Sequence, residues 1–259
     1  MRLYDLRTEY RVNPMGLTAK APRFSWKMES QEKDTLQTAY EIHVTDENGK
    51  LVWNSGKKAS DQSVLISYEG EALASETLYT VQVSVADNHG NTESVEGTFE
   101  TGIFDNTEFK AQMITGDFPE EETACPVFGK TFVLDKKVKK ARLYATAHGV
   151  YEVTLNGQTV GDCRMAPGWT SYHNRLQYQI YDITEMLAAD NKIEITVGNG
   201  WYKGILGFYC QPNQYGTQVG AFAEIHVEYE DGSKEVIATD ETWSVKTGEI
   251  RYSEIYMGE

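Results

Sequence analysis

The sequence predicts an all-β protein built as two sandwich domains. The first is an immunoglobulin or fibronectin type III-like sandwich over residues 1–103, the second a jelly-roll β-sandwich over residues 111–259. Three observations carry this. Short runs alternate apolar and polar residues, the period of a half-buried strand. Asn-Gly and Asp-Gly turns separate many of those runs. The chain has 259 residues, enough for two domains, and the alternation lapses over residues 101–110, where the boundary is placed.

The elements follow in order. Arg23 to Met28 alternates, and Ala39 to Thr45 does so with Tyr40, Ile42 and Val44 on one side. Asp46-Glu47-Asn48-Gly49 turns the chain into Leu51-Val52-Trp53, a hairpin signal. Leu78 to Val85 aligns Tyr79, Val81, Val83 and Val85. Asn88-His89-Gly90-Asn91 turns, and Val95 to Phe99 closes the set. Several short strands in about a hundred residues, without a helical period, fit an antiparallel sandwich of this kind. Glu76-Thr77-Leu78-Tyr79 resembles the corner of such modules at which a Tyr hydroxyl bonds back to the chain.

Beyond the boundary, Asp117 to Thr123 reads as an acidic loop and Pro126 precedes a new strand. Lys140 to Thr146 puts Ala141, Leu143 and Ala145 on one face. Tyr151 to Leu155 meets an Asn156-Gly157 turn, and Ala221 to Tyr229 turns at Asp231-Gly232. Ile180 to Thr184 leads into a single helical turn at Glu185-Met186-Leu187, and Lys192 to Val197 is a further strand. This strand density suits a jelly roll.

Composition narrows the partners. The net charge of −15 argues against nucleic acid and against anionic membrane surfaces. It suits a neutral ligand, of which a sugar is one. Cys125, Cys163 and Cys210 are odd in number and widely spaced, so they read as free thiols in a reducing compartment. The start, Met1-Arg2-Leu3-Tyr4-Asp5-Leu6, has no apolar leader, and no run is long enough to span a bilayer. A cytoplasmic location is the expectation.

The search for reaction chemistry returns little. The five His residues (43, 89, 148, 173 and 226) are scattered, without metal-ligand spacing, and His43 and His226 read as exposed strand positions. There is no nucleophile elbow and no phosphate-cradling glycine loop. A glycosidase needs two carboxylates set about 5–10 Å apart across a cleft, which a count of 39 acids cannot show. Most of these acids read as solvated surface.

Two stretches stand out. Ala166-Pro167-Gly168-Trp169-Thr170-Ser171-Tyr172-His173-Asn174-Arg175 joins a Pro-Gly turn to aromatics, an amide and a guanidinium. Gly198-Asn199-Gly200-Trp201-Tyr202-Lys203-Gly204 sets glycines around a Trp-Tyr pair. Aromatic rings suit the C–H faces of sugars and Asn, Arg and Lys suit hydroxyls. The candidate carbohydrate-binding residues are His173, Asn174, Arg175, Trp201 and Tyr202, placed where the 171–175 and 200–204 loops meet. The competing reading is that Trp169 and Trp201 fill or plug the sandwich core.

These stretches resemble one known family. Ala166 to Tyr172, Arg175-Leu176-Gln177-Tyr178-Gln179, Tyr181-Asp182-Ile183-Thr184, Gly200 to Gly204 with Leu206-Gly207-Phe208, Thr239-Asp240 with Trp243, and the closing Ser253 to Glu259 are similar to the N-terminal jelly-roll domain of bacterial α-L-rhamnosidases. Thr8 to Gly16, Pro22-Arg23-Phe24-Ser25-Trp26 and Gln37-Thr38-Ala39-Tyr40 resemble its leading fibronectin-like domain. The resemblance implies a galactose-binding-like second sandwich and an enzyme that releases terminal α-L-rhamnose from glycosides with inversion. It implies that the catalytic carboxylates lie on an (α/α)₆ barrel, further along than this chain runs. No position here is thus expected to be catalytic, and that barrel and rhamnose-containing glycosides are the expected partners.

Some relatives bind rhamnose on the jelly roll through calcium, with an Asp-Asn pair and a Trp. Asn174 and Trp201 match two of these, but His173 stands where the Asp would be, and a hard cation prefers oxygen. No cofactor is expected, with calcium the one ion the resemblance raises. Lys203 stands where the family often has Arg. Three readings remain open at this point: an accessory fragment of a glycosidase with a packing role, a carbohydrate-binding module, or an adhesion or scaffold protein with no enzyme attached.

Overall fold

A computed structural model of the chain describes residues 1–119 and 122–258. Glu120 and Glu121 of the acidic loop and Glu259 of the closing segment lie outside the described residues. The chain forms two compact units, Met1–Glu108 and Phe109–Glu259.

The first unit contains β1 (Arg2–Thr8), β2 (Arg23–Glu29), β3 (Gln37–Asp46), β4 (Leu51–Asn54), β5 (Ile66–Ser67), β6 (Leu78–Asp87) and β7 (Thr92–Glu100). They form antiparallel sheets of order β1-β2-β5 and β4-β3-β6-β7. The alternation sets the facing: Tyr40, Ile42 and Val44 from β3 and Tyr79, Val81, Val83 and Val85 from β6 meet Leu3, Leu6, Phe24 and Trp26 in one core. Gly49 makes the β3–β4 turn at a φ of +78°, and the Asp46 carboxylate accepts from the amides of Asn48 and Lys50 at 2.9 Å each. At the predicted corner, the Ala74 amide donates to the Tyr79 hydroxyl at 2.9 Å, tying the loop to the strand that follows it.

The second unit contains β8 (Ile114–Thr115), β9 (Pro126–Val133), β10 (Val138–His148), β11 (Val150–Leu155), β12 (Gln158–Thr159), β13 (Gln179–Asp182), β14 (Asp190–Gly198), β15 (Gly220–Tyr229), β16 (Lys234–Ala238) and β17 (Ser244–Thr247). A four-residue helix, α1 (Gly200–Lys203), follows β14, and Thr184–Met186 forms a 3₁₀ turn. One sheet runs β13-β10-β15-β16 with β8 on β15; the other runs β12-β11-β14-β9-β17. These strands pair antiparallel, and the core between the sheets holds Leu143, Ala145, Ile193, Ile195, Val197, Ile225 and Val227. This is the jelly-roll sandwich expected from the strand pattern.

Among the acids, Glu224 is wholly buried, and Asp87, Glu100 and Glu254 are nearly so. One expectation fails: His226 is not an exposed strand position, because its ring lies 5.0 Å from that of Tyr144 and its Nε2 is 2.7 Å from Glu224 Oε1. The outer face of the β10–β15 pair is covered by Phe109, which packs edge-on against Tyr144, Tyr178 and Phe222. Glu224 Oε2 there accepts from the amides of Lys110 and Ala111 at 2.8 Å each.

Candidate functional site

The glycines of the second stretch are close-packing positions rather than loose hinges. Gly200, at a φ of +52°, opens α1 directly against the start of β11; a Cβ there would lie 2.8 Å from the Val150 amide nitrogen. A Cβ on Gly204 would meet the Gly200 carbonyl and stand 2.6 Å from Glu254 Oε1. With no side chains at either end, α1 lies tight on the sandwich and its orientation is fixed. Asn199 and Lys203, four residues apart, share one side of it. Both line a cavity of about 290 Å³ together with Phe118, Thr123, Gln218 and Val219. Lys203 thus lines this cavity, while Trp201 and Tyr202 join a separate aromatic cluster.

Trp201 is half-buried, and its ring runs parallel to that of Trp169, at 8° and with centroids 6.2 Å apart. Trp169 is 56% exposed and its Nε1 donates to the Tyr215 hydroxyl at 3.1 Å. Neither indole belongs to the sandwich core. Tyr202 lies flat on His148, with ring centroids 4.4 Å apart at 5°, and meets Tyr172 edge-on at 5.3 Å. Tyr172 is buried, donates to the Gly168 carbonyl at 3.1 Å and packs on Tyr215. One face of Tyr202 is therefore occupied by the protein itself.

The 171–175 loop is closed by its own hydrogen bonds. The amides of Asn174 and Arg175 donate to the Ser171 carbonyl at 2.8 and 2.9 Å, and Asn174 Nδ2 donates to Ser171 Oγ at 3.0 Å. His173, Asn174 and Arg175 are exposed, and the His173 ring stands 5.5 Å from that of Tyr215. The two loops thus meet through Tyr172, Tyr202 and Tyr215. The first two lay inside the highlighted stretches; Tyr215 and His148 did not. Tyr215 sits in a segment without alternation, and His148 is one more strand-end residue, so no local pattern marks either.

The cluster is electrically quiet. Burial lowers the His148 pKa, so the ring is a neutral imidazole at neutral pH. Burial and the neighbouring Tyr215 push the Tyr172 phenol up to about 12, and burial raises Tyr202 as well. Parallel and edge-on rings ringed by an exposed amide, imidazole and guanidinium can stack on an apolar sugar face and hydrogen-bond its hydroxyls. The 170–176 loop offers no carboxylate, the oxygen ligand that a hard cation such as calcium prefers.

Comparison with known proteins gives the chain its relatives. Residues 3–105 match the family model of the Rha78A-like N-terminal immunoglobulin domain, and residues 136–259 match that of the α-L-rhamnosidase N-terminal domain. An α-L-rhamnosidase of Formosa agariphila is 35% identical over 269 residues, covering 95% of this chain and 29% of its own length. The crystal structure of the α-L-rhamnosidase of Aspergillus terreus superposes with a TM-score of 0.93 at 35% identity, over 99% of this chain and 31% of that one. The enzyme of Dictyoglomus thermophilum does so with a TM-score of 0.88 at 33% identity, over 99% and 31%. The chain therefore spans under a third of the length of these relatives. The chain is therefore a Rha78A-like N-terminal immunoglobulin domain followed by an α-L-rhamnosidase N-terminal domain, each belonging to the domain family whose model it matches.

Proposed function

We propose that this chain is the non-catalytic part of an enzyme that hydrolyses terminal α-L-rhamnose from glycosides, with the chemistry carried by a barrel elsewhere in the same polypeptide. Its second unit supplies a weak binding surface for rhamnose-containing glycosides. The observation that carries the second statement is the paired indoles: Trp201 is held parallel beneath a half-exposed Trp169, outside the core, beside exposed His173, Asn174 and Arg175. In this reading Trp201 and Trp169 present the stacking face. Tyr202, pinned by His148, sets the position of α1, and Asn174 and Arg175 reach hydroxyls. A shallow site of this type binds at about millimolar, roughly −4 kcal/mol.

Titrating L-rhamnose into the labelled chain and following indole and amide shifts tests the site. Saturable shifts at Trp169 and Trp201 are expected, abolished in Trp201→Ala with the amide spectrum otherwise intact. Shifts that survive Trp201→Ala would remove the site from this surface. An aryl rhamnoside assay tests the accessory role. The expected result is no turnover, and turnover that tracks the purified chain would overturn it.

A further inference from the structure

The chain contains three Asn-Gly dipeptides: Asn48-Gly49, Asn156-Gly157 and Asn199-Gly200. In such a pair the glycine backbone nitrogen lies next to the asparagine carboxamide, and no Cβ shields it from that group. The fold holds the three pairs differently. Asn48 and Asn156 are both exposed, and the glycine after each has a φ of +78° with open space where a Cβ would stand. Their side chains separate them. Asn156 Nδ2 donates to the Met186 carbonyl at 2.9 Å and to Asn191 Oδ1 at 3.0 Å, and Asn156 Oδ1 accepts from the Lys192 amide at 2.8 Å. That carboxamide is tied at both its polar atoms. Asn199 is held through the backbone instead: its carbonyl accepts from the Lys203 amide at 3.1 Å, and Gly200 is pressed against Val150. The Asn48 carboxamide has no hydrogen-bond partner among the described residues and is free to turn.

We propose that Asn48 is a site of spontaneous deamidation, converting to aspartate and isoaspartate while Asn156 and Asn199 persist. The reaction begins when the Gly49 amide leaves the Asp46 carbonyl, to which it donates at 2.9 Å. The Gly49 nitrogen then bonds to Asn48 Cγ, the Cγ–Nδ2 bond breaks, and Nδ2 departs as ammonia with the Gly49 amide proton. Water opens the resulting five-membered imide and leaves its oxygen in the new carboxylate. Opening at Cγ gives aspartate; opening at the Asn48 backbone carbonyl gives isoaspartate, in which the chain runs through the former side chain. The attack is intramolecular, so its rate follows how often the carboxamide and the glycine nitrogen reach a near-attack geometry. Tethering the carboxamide, as at Asn156, or the backbone, as at Asn199, withholds that geometry. Either product adds a negative charge beside Asp46 and Glu47 in a chain already at −15. Isoaspartate also adds a backbone carbon to the turn that sets Val44 opposite Trp53 and Thr45 opposite Leu51.

Incubating the chain in mildly alkaline buffer made with heavy-oxygen water, followed by peptide mass spectrometry, reads all three sites in one sample. The expected result is that Asn48 converts roughly tenfold faster than Asn156 and Asn199 in the folded chain. Its product should carry heavy oxygen and separate into aspartate and isoaspartate peptides. In urea, where the tethers are lost, the three rates should converge, because the same dipeptide stands at each site. That convergence assigns the selectivity to the fold and not to the flanking sequence. Conversion of Asn156 or Asn199 in the folded chain at the rate of Asn48 would overturn the proposal. So would an Asn48 that stays intact in the folded chain while it reacts in urea, or a rate ranking that urea leaves unchanged.

Discussion

Glu224 shows what one residue can hold. It sits on β15 with its side chain out of solvent, and its two oxygens divide the work: one meets His226, the other caps the amides of Lys110 and Ala111. Burial alone would raise its pKa. The His226 hydrogen bond and the two backbone amides outweigh burial, and the value falls below the ordinary 4.5. A depressed carboxylate stabilises the fold above its unfolded-state value and loses that contribution as pH falls through its folded value. Two outcomes are expected. Glu224→Ala, which strips the Lys110 and Ala111 amides of their acceptor in a dry setting, should destabilise the second unit by roughly 2–4 kcal/mol. Glu224→Gln should flatten the acid side of the profile, so that urea midpoints of wild type and variant converge as pH falls from the ordinary 4.5 through the lowered folded value. Parallel acid profiles for the two proteins would remove Glu224 from this role.

At the scale of elements, the passage from β14 into α1 links fold to site. Gly200 is the position at which the helix backbone touches β11, and its positive φ and the 2.8 Å approach to Val150 leave no room for a methyl group. Gly200→Ala should cost about 2 kcal/mol in urea titrations of the second unit. It should also shift the Trp201 indole resonance, because the first residue of α1 carries the ring that follows it. A variant of wild-type stability with an unmoved Trp201 signal would show that the close approach relaxes freely. The elements themselves were legible wherever one face was wet. The alternation put Tyr40, Ile42 and Val44 on one side of β3 and aligned Tyr79, Val81, Val83 and Val85 on β6, and all seven are buried. It was partial on β10, where Ala141, Leu143 and Ala145 face the core as read, yet Tyr144 is buried on the opposite side under Phe109. A period-two pattern reports only one partner surface, and this strand has two. The site was legible as two aromatic, glycine-bearing stretches. Its other contributors, His148 and Tyr215, arrive from distant segments through tertiary packing, which no local spacing encodes.

At the scale of the whole molecule, each unit closes a hydrophobic core of its own, and the two cores share no residue. Fully buried isoleucines sit in both: Ile42 in the first and Ile195 in the second. Truncating a buried isoleucine to alanine costs roughly 2–5 kcal/mol through lost burial and the cavity left behind. If each core is the cooperative unit, that loss stays within its own half of the chain. Native-state hydrogen exchange read by peptide separates the two. Ile42→Ala should speed exchange across β3 and β6 and leave β10, β14 and β15 at wild-type rates, and Ile195→Ala should do the reverse. The physical basis is that stability passes through contacts, and the residues packed around Ile42 all come from the first hundred positions, while those packed around Ile195 all come from beyond residue 108. A loss of protection spread evenly over both halves by either substitution would mean that the chain unfolds as one body, and the division at residue 108 would then describe geometry without describing cooperativity.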